Sequence, residues 1–176
     1  MDTRPATIVA GIDPGSNATG YCSLKVQGMK YTLLHPMETL QLRGRNRIDR
    51  LRDLGERLTV LLERDRPSYV AVEAGSVHSD TKYAVSALIT AQARGICLYV
   101  ASRVAGVVDE VPVQSARAAL GVAGWGQGRE AGKSKVMYVI CALLQPEYAP
   151  NIDAAEAAAL AVWEANRVAS RATVPF

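Results

Sequence analysis

Three strand-like runs follow one another before the first helix, and from there strands and helices alternate; few architectures accept that order. ATIVAGID (6–13) is an apolar run stopped by Pro14-Gly15, so a buried strand ending in a turn is expected. GYCSLKV and KYTLLHPMETLQL come next, separated by Gln27-Gly28, and predict that the first three strands form an antiparallel meander. Across 45–66, Ile48, Leu51, Leu54, Leu58, Leu61 and Leu62 recur at three- and four-residue steps, giving an amphipathic helix that Pro67 ends. SYVAVEA reads as a fourth strand. There follow an Ala-rich helix over 81–103, a fifth strand near 106–113, a short helix in QSARAAL and a glycine-rich loop, GVAGWGQGREAG. Helices over 133–144 and 155–169 complete the chain, with Asp153 placed to cap the last one. The expected fold class is α/β, a five-stranded mixed sheet flanked by helices.

At 176 residues, with no repeat or low-complexity linker, the chain is expected to form one domain over 1–176. A domain of this length buries roughly 70% of its unfolded surface and needs no staple. Cys22, Cys97 and Cys141 are odd in number and sit in apolar runs, which argues against a disulfide framework or a zinc site. Nothing approaches ~18 uninterrupted apolar residues, and Asp2 and Arg4 interrupt any signal-peptide pattern. A cytoplasmic protein with no membrane partner is expected.

The net charge of +3 is unevenly spread. Residues 1–136 carry 18 Lys and Arg against 13 Asp and Glu, whereas residues 137–176 carry 2 against 4. The densest basic cluster holds Arg43, Arg45, Arg47, Arg50, Arg52 and Arg57 among three acids. Such a run reads either as a solvated helix face or as a stripe that tracks phosphates.

Asp13 and Glu73 each end an apolar strand, where a charge is costly unless something holds it. Asp153 and Glu156 lie three residues apart on one helix face, flanked by alanines small enough to let that helix pack close to a sheet. One strand-end Asp is commonly a turn former or a cap. Four acids so placed, if the fold gathers them, would repel one another unless cations intervened. Oxygen donors suit Mg²⁺ or Mn²⁺, and a two-metal carboxylate site suits phosphodiester hydrolysis.

GIDPGSNATGY (11–21), VAVE ending at Glu73, AQARG (91–95), AGKSKV (131–136) and IDAAEAAALA (152–161) resemble, in order and approximate spacing, the RuvC family of Holliday junction resolvases over about residues 7–167. The resemblance implies an RNase H-like fold, a homodimer, and symmetric metal-dependent nicking of four-way junctions and other branched DNA, leaving 5′ phosphates. It assigns Asp13, Glu73, Asp153 and Glu156 to catalysis and to holding two Mg²⁺ or Mn²⁺ ions, with Asp13 bridging them. It places Lys133 near the scissile phosphate and Arg117 where the family commonly has another lysine. Glu156 stands where the family usually has Asp. Arg45, Arg47, Arg50, Lys82 and Trp125 are further candidate DNA contacts. The family's base-stacking aromatic after the strand-end Glu is missing, and His78 or Tyr83 is the candidate substitute. Branch-migration proteins stay open as partners, as does residence at the nucleoid or, for a phage-encoded chain, in the host cytoplasm.

Two nucleotide-binding readings compete. GREAGKS lacks the first glycine of a P-loop, because Gln127 stands there. GIDPGSNATG also resembles the phosphate-binding turn of actin-like and sugar-kinase ATPases, which need two such lobes. A third reading, an inactive branched-DNA-binding relative, runs against the presence of all four acids. Trp163, His35 and the stripe Val85, Leu88, Ile89, Ala93 and Ile96 are expected to be mostly structural, with part of that stripe available to a dimer partner.

Overall fold

The computed structural model describes residues 5–75, 84–122 and 129–171. Strands β1 (Thr7–Asp13), β2 (Ala18–Gln27), β3 (Lys30–Leu33) and β4 (Glu38–Gln41) precede helix α1 (Arg47–Asp65). They are followed by β5 (Tyr69–Glu73), α2 (Ala84–Val104), β6 (Val107–Val111), α3 (Val113–Ala119), α4 (Arg129–Leu144) and α5 (Ile152–Arg171). The sheet order is β3-β2-β1-β5-β6, with β4 also paired to β2. β1 runs antiparallel to β2 and parallel to β5, and β5 runs parallel to β6, so the expected mixed sheet is present.

The third strand differs from expectation. It breaks into β3 and β4, both antiparallel to β2, which makes six strands instead of five. Pro36 lies in the break and has no N–H for the ladder. His35 Nε2 turns instead toward Asp65 Oδ1, 3.4 Å away. Asp65, at the end of α1, also accepts from Tyr21 Oη at 2.8 Å and from Arg64 Nε at 2.6 Å. Burial alone would raise its pKa, but these hydrogen bonds hold the carboxyl below the ordinary range. α1 itself starts at an Asn46 cap, whose side chain accepts from the Asp49 N–H, and ends where Arg66 enters the left-handed region before Pro67.

Strand alternation separates two cores. Val9, Leu24, Ala71 and Val111 face Val136, Ile140 and the alanines of α5. Ala10, Ile12, Val70 and Val72 face Leu54, Leu58 and Leu62 of α1 and Ala93, Cys97 and Ala101 of α2. Trp163 packs against the first core as expected. Val85 and Leu88 do not behave as core: they are 72% and 57% exposed. α2 is long and apolar enough by composition to cross a membrane, yet its Ala93, Cys97, Val100 and Ala101 are built into the core. α4 begins four residues before the expected Lys133, because REAG of the glycine-rich run is helical.

The last helix begins at Ile152, three residues before expectation, and its cap is Asn151 rather than Asp153: Asn151 Oδ1 accepts from the Ala154 N–H at 3.0 Å and from Thr39 Oγ1 at 2.5 Å. α5 lies against β1 and β2 at backbone distance. A Cβ on Gly11 would collide with the Ala157 carbonyl, and one on Gly20 with the Asp153 carbonyl. Gly20→Ala therefore has to push α5 off the sheet. Overpacking of this kind costs about 1–3 kcal/mol, so thermal melting should fall by roughly 2–12 °C; an unchanged melting temperature would show that this contact yields freely.

Candidate active site

Pleating decides which acids can meet. Asp13 has the parity of Val9 and Gly11, and Glu73 that of Tyr69 and Ala71, so both project to the α5 face. β1 and β5 are parallel with Ile12 opposite Val72, so the two acids follow one residue later, side by side at the strand ends. On its other side Asp13 pairs with Gly20, the residue on which the Asp153 backbone rests. The alanine face of α5 thus lays its first turns across the ends of β1 and β5, and brings Asp153 and Glu156 to the two strand-end acids.

The electrostatics record this convergence. Burial, then the charges of Glu73, Glu156 and Asp153, push the Asp13 carboxyl well above the ordinary carboxylate range, with a hydrogen bond to Glu73 adding to the effect. Burial and Glu156 also raise Glu73, while its bond to Asp13 and the positive charges of Arg117 and Lys133 pull the other way. Arg117, from α3, donates through Nη2 to Glu156 Oε1 at 2.5 Å. Lys133 comes from the first turns of α4. Four acids and two bases from five elements therefore share one place.

The remaining candidates lie apart from it. Arg45, Arg47 and Arg50 are exposed around the start of α1 and have no acidic partner among the described residues. Arg47 and Arg50 line a groove of about 550 Å³ with Ser16 and Asn17 of the turn that follows Asp13, and with Val85 and Ile89 of α2. Arg52 and Arg57 are instead paired with Asp49 and Asp53. Lys82, Trp125, His78 and Tyr83 lie outside the described residues. Sequence reasoning missed Asn151, which orients α5, and Gly132, where a Cβ would stand 3.1 Å from Arg117 Nη1.

The donor set is all oxygen, which fits a hard divalent cation, whose charge would offset the burial and mutual repulsion that raise Asp13 and Glu73. Among the described residues no three acidic, histidine or cysteine side chains are drawn tightly enough to enclose an ion as they stand.

Residues 9–164 match the family model for crossover junction endodeoxyribonuclease RuvC. The chain belongs to the RuvC family. It is 31% identical over 161 residues to RuvC of Pelotomaculum thermopropionicum, covering 90% of this chain and 93% of that one. With RuvC of Caulobacter vibrioides it shares 32% over 170 residues, covering 96% and 95%. Its fold superposes on T. thermophilus RuvC in complex with Holliday junction substrate with a TM-score of 0.73 at 26% identity, over 95% of this chain and 97% of that one. The RNase H-like fold implied by the resemblance is therefore borne out.

Crowded carboxylates make the metal-free site a source of instability. A carboxyl whose folded pKa is raised favours folding below its unfolded pKa, and that contribution is lost as pH rises through the folded value. Asp13→Asn removes this charge and keeps the shape. In EDTA the variant should melt higher than the parent at pH 8, with the gain shrinking toward pH 4. A variant that melts lower at pH 8 would show that the repulsion is already relieved.

Proposed function

We propose that this RuvC family member is a crossover junction endodeoxyribonuclease that hydrolyses phosphodiesters in Holliday junctions and other branched DNA. The observation that carries the reading is the meeting of Asp13, Glu73, Asp153 and Glu156 across β1, β5 and α5, with Arg117 and Lys133 beside them. In this proposal the four acids hold two Mg²⁺ or Mn²⁺ ions. When bound, such ions supply an activated water and offset charge on the departing 3′ oxygen, leaving a 5′ phosphate. Lys133 and Arg117 steady the scissile phosphate, whose charge rises toward the transition state. All four acids are present, which disfavours an inactive relative.

Arg45, Arg47 and Arg50 are assigned to the DNA backbone. Arginines in the first turn of a helix oppose its dipole by about 0.3–1 kcal/mol each, and a phosphate at that end offsets the cost. The groove that Arg47 and Arg50 share with Asn17 leads from the turn after Asp13 along α1 and α2. The exposed Val85 and Leu88 favour a homodimer through α2, which would set two sites on opposite strands. Such a nuclease would work in the cytoplasm, on nucleoid or phage DNA.

Incubated with a synthetic four-way junction and Mg²⁺, the protein should give paired nicks in opposite strands, little cleavage of linear duplex, and none in EDTA. Equal cutting of duplex, or cutting in EDTA, would overturn the proposal. Replacing Arg45, Arg47 and Arg50 together with Ala should weaken junction binding and flatten the salt dependence of log K by up to about 2.7. An unchanged slope would return these residues to a solvated face. Light scattering should report twice the 18.8 kDa chain mass, and a species of one chain mass with and without junction would exclude the dimer.

A further inference from the structure

Among the described residues Glu156 is the one acid of the four held in an ion pair. Its side chain is 4% exposed and its Oε1 accepts from Arg117 Nη2 at 2.5 Å, while Asp13, Glu73 and Asp153 stand in no ion pair among the described residues. Arg117 is itself only 15% exposed, lies close under Gly132 of α4, and has a buried Nε with no hydrogen-bond partner among the described residues. A guanidinium offers a planar fork of five donors suited to phosphate, and the part of this side chain that stays exposed is where a phosphate would meet it.

We propose that Arg117 withholds Glu156 from cations until a DNA phosphate takes its guanidinium, so that substrate binding completes the carboxylate set. The inference rests on the nuclease reading above. Its physical basis is that no charge is left alone in either state. Without DNA, Arg117 and Glu156 neutralise each other. With DNA, the arginine pairs with a phosphate through the same planar edge, and Glu156 joins the other acids around a cation. Linkage makes the effect reciprocal: junction DNA tightens cation binding by the factor by which the cation tightens DNA binding.

The test measures Ca²⁺ affinity by titration calorimetry, with and without a four-way junction, and needs no cleavage. For the parent, the junction should tighten Ca²⁺ binding about tenfold. Glu156→Gln should abolish the tightening, because Glu156 joins the cation only once DNA has arrived. Arg117→Gln should tighten DNA-free binding about tenfold, and the double variant should lose that gain. If Glu156→Gln alone weakens DNA-free binding about tenfold, Glu156 is a ligand from the start and the proposal fails. It fails equally if Arg117→Gln leaves DNA-free affinity unchanged. Circular dichroism checks folding, and should Arg117→Gln not fold, Glu156→Gln still decides. Junction binding followed by fluorescence anisotropy in EDTA separates the two readings: no binding there contradicts the nuclease reading, while the DNA-free comparison still judges Arg117.

Discussion

The site depends on one contact, the approach of α5 to β1 and β2 at backbone distance. Gly11 and Gly20 are where it happens, since any side chain on either would strike the backbone of the helix. The alanines at 154, 155, 157, 158, 159 and 161 are buried and keep the helix surface equally thin. Larger residues on either side would set the helix off by several ångströms, and the carboxylates of its first turns would no longer reach the strand ends. The same contact removes water from the acids, and burial is the leading cause of the raised pKa values of Asp13 and Glu73.

Packing and electrostatics therefore oppose each other at this end of the sheet. An apolar, close-packed helix carries two acids onto two more, and the fold offsets the repulsion locally. Glu156 is neutralised by Arg117. Lys133 adds positive charge next to Glu73. This is the arrangement expected of a site that stores negative charge for a cation and positive charge for a phosphate. The buried Asp65, by contrast, is held by Tyr21 and Arg64 as a structural anion, and a second ionic group of Asp109, Glu164 and Arg167 under the Trp163 ring ties α5 to β6.

Much of this was legible in the sequence because it follows from period and punctuation. Two apolar runs ending in acids gave β1 and β5, and the alanine face around Asp153 and Glu156 announced a helix that packs closely. The heptad-like leucines of α1 placed that helix to within two residues. What was not legible depends on contacts between distant segments. The split of the third strand follows from Pro36 and from His35 finding Asp65 thirty residues later in the chain. Asn151 took the capping position because Thr39 of β4 reaches it. Which part of the α2 stripe stays outside the core also follows from packing: the positions facing α1 and β5 are buried, and Val85 and Leu88 are left outside. The pairing of Arg117 with Glu156 has no sequence signal at all, because α3 and α5 meet only in the folded chain.

Single-turnover cleavage of a four-way junction with Mg²⁺ decides whether these four carboxylates form one working unit. The variants to compare are Asp13→Asn, Glu73→Gln, Asp153→Asn and Glu156→Gln. Each should lower the rate by about a hundredfold or more, the scale of removing a group that acts in the transition state, while junction binding in EDTA is kept. Parental cleavage by any one of the four would contradict a single working unit.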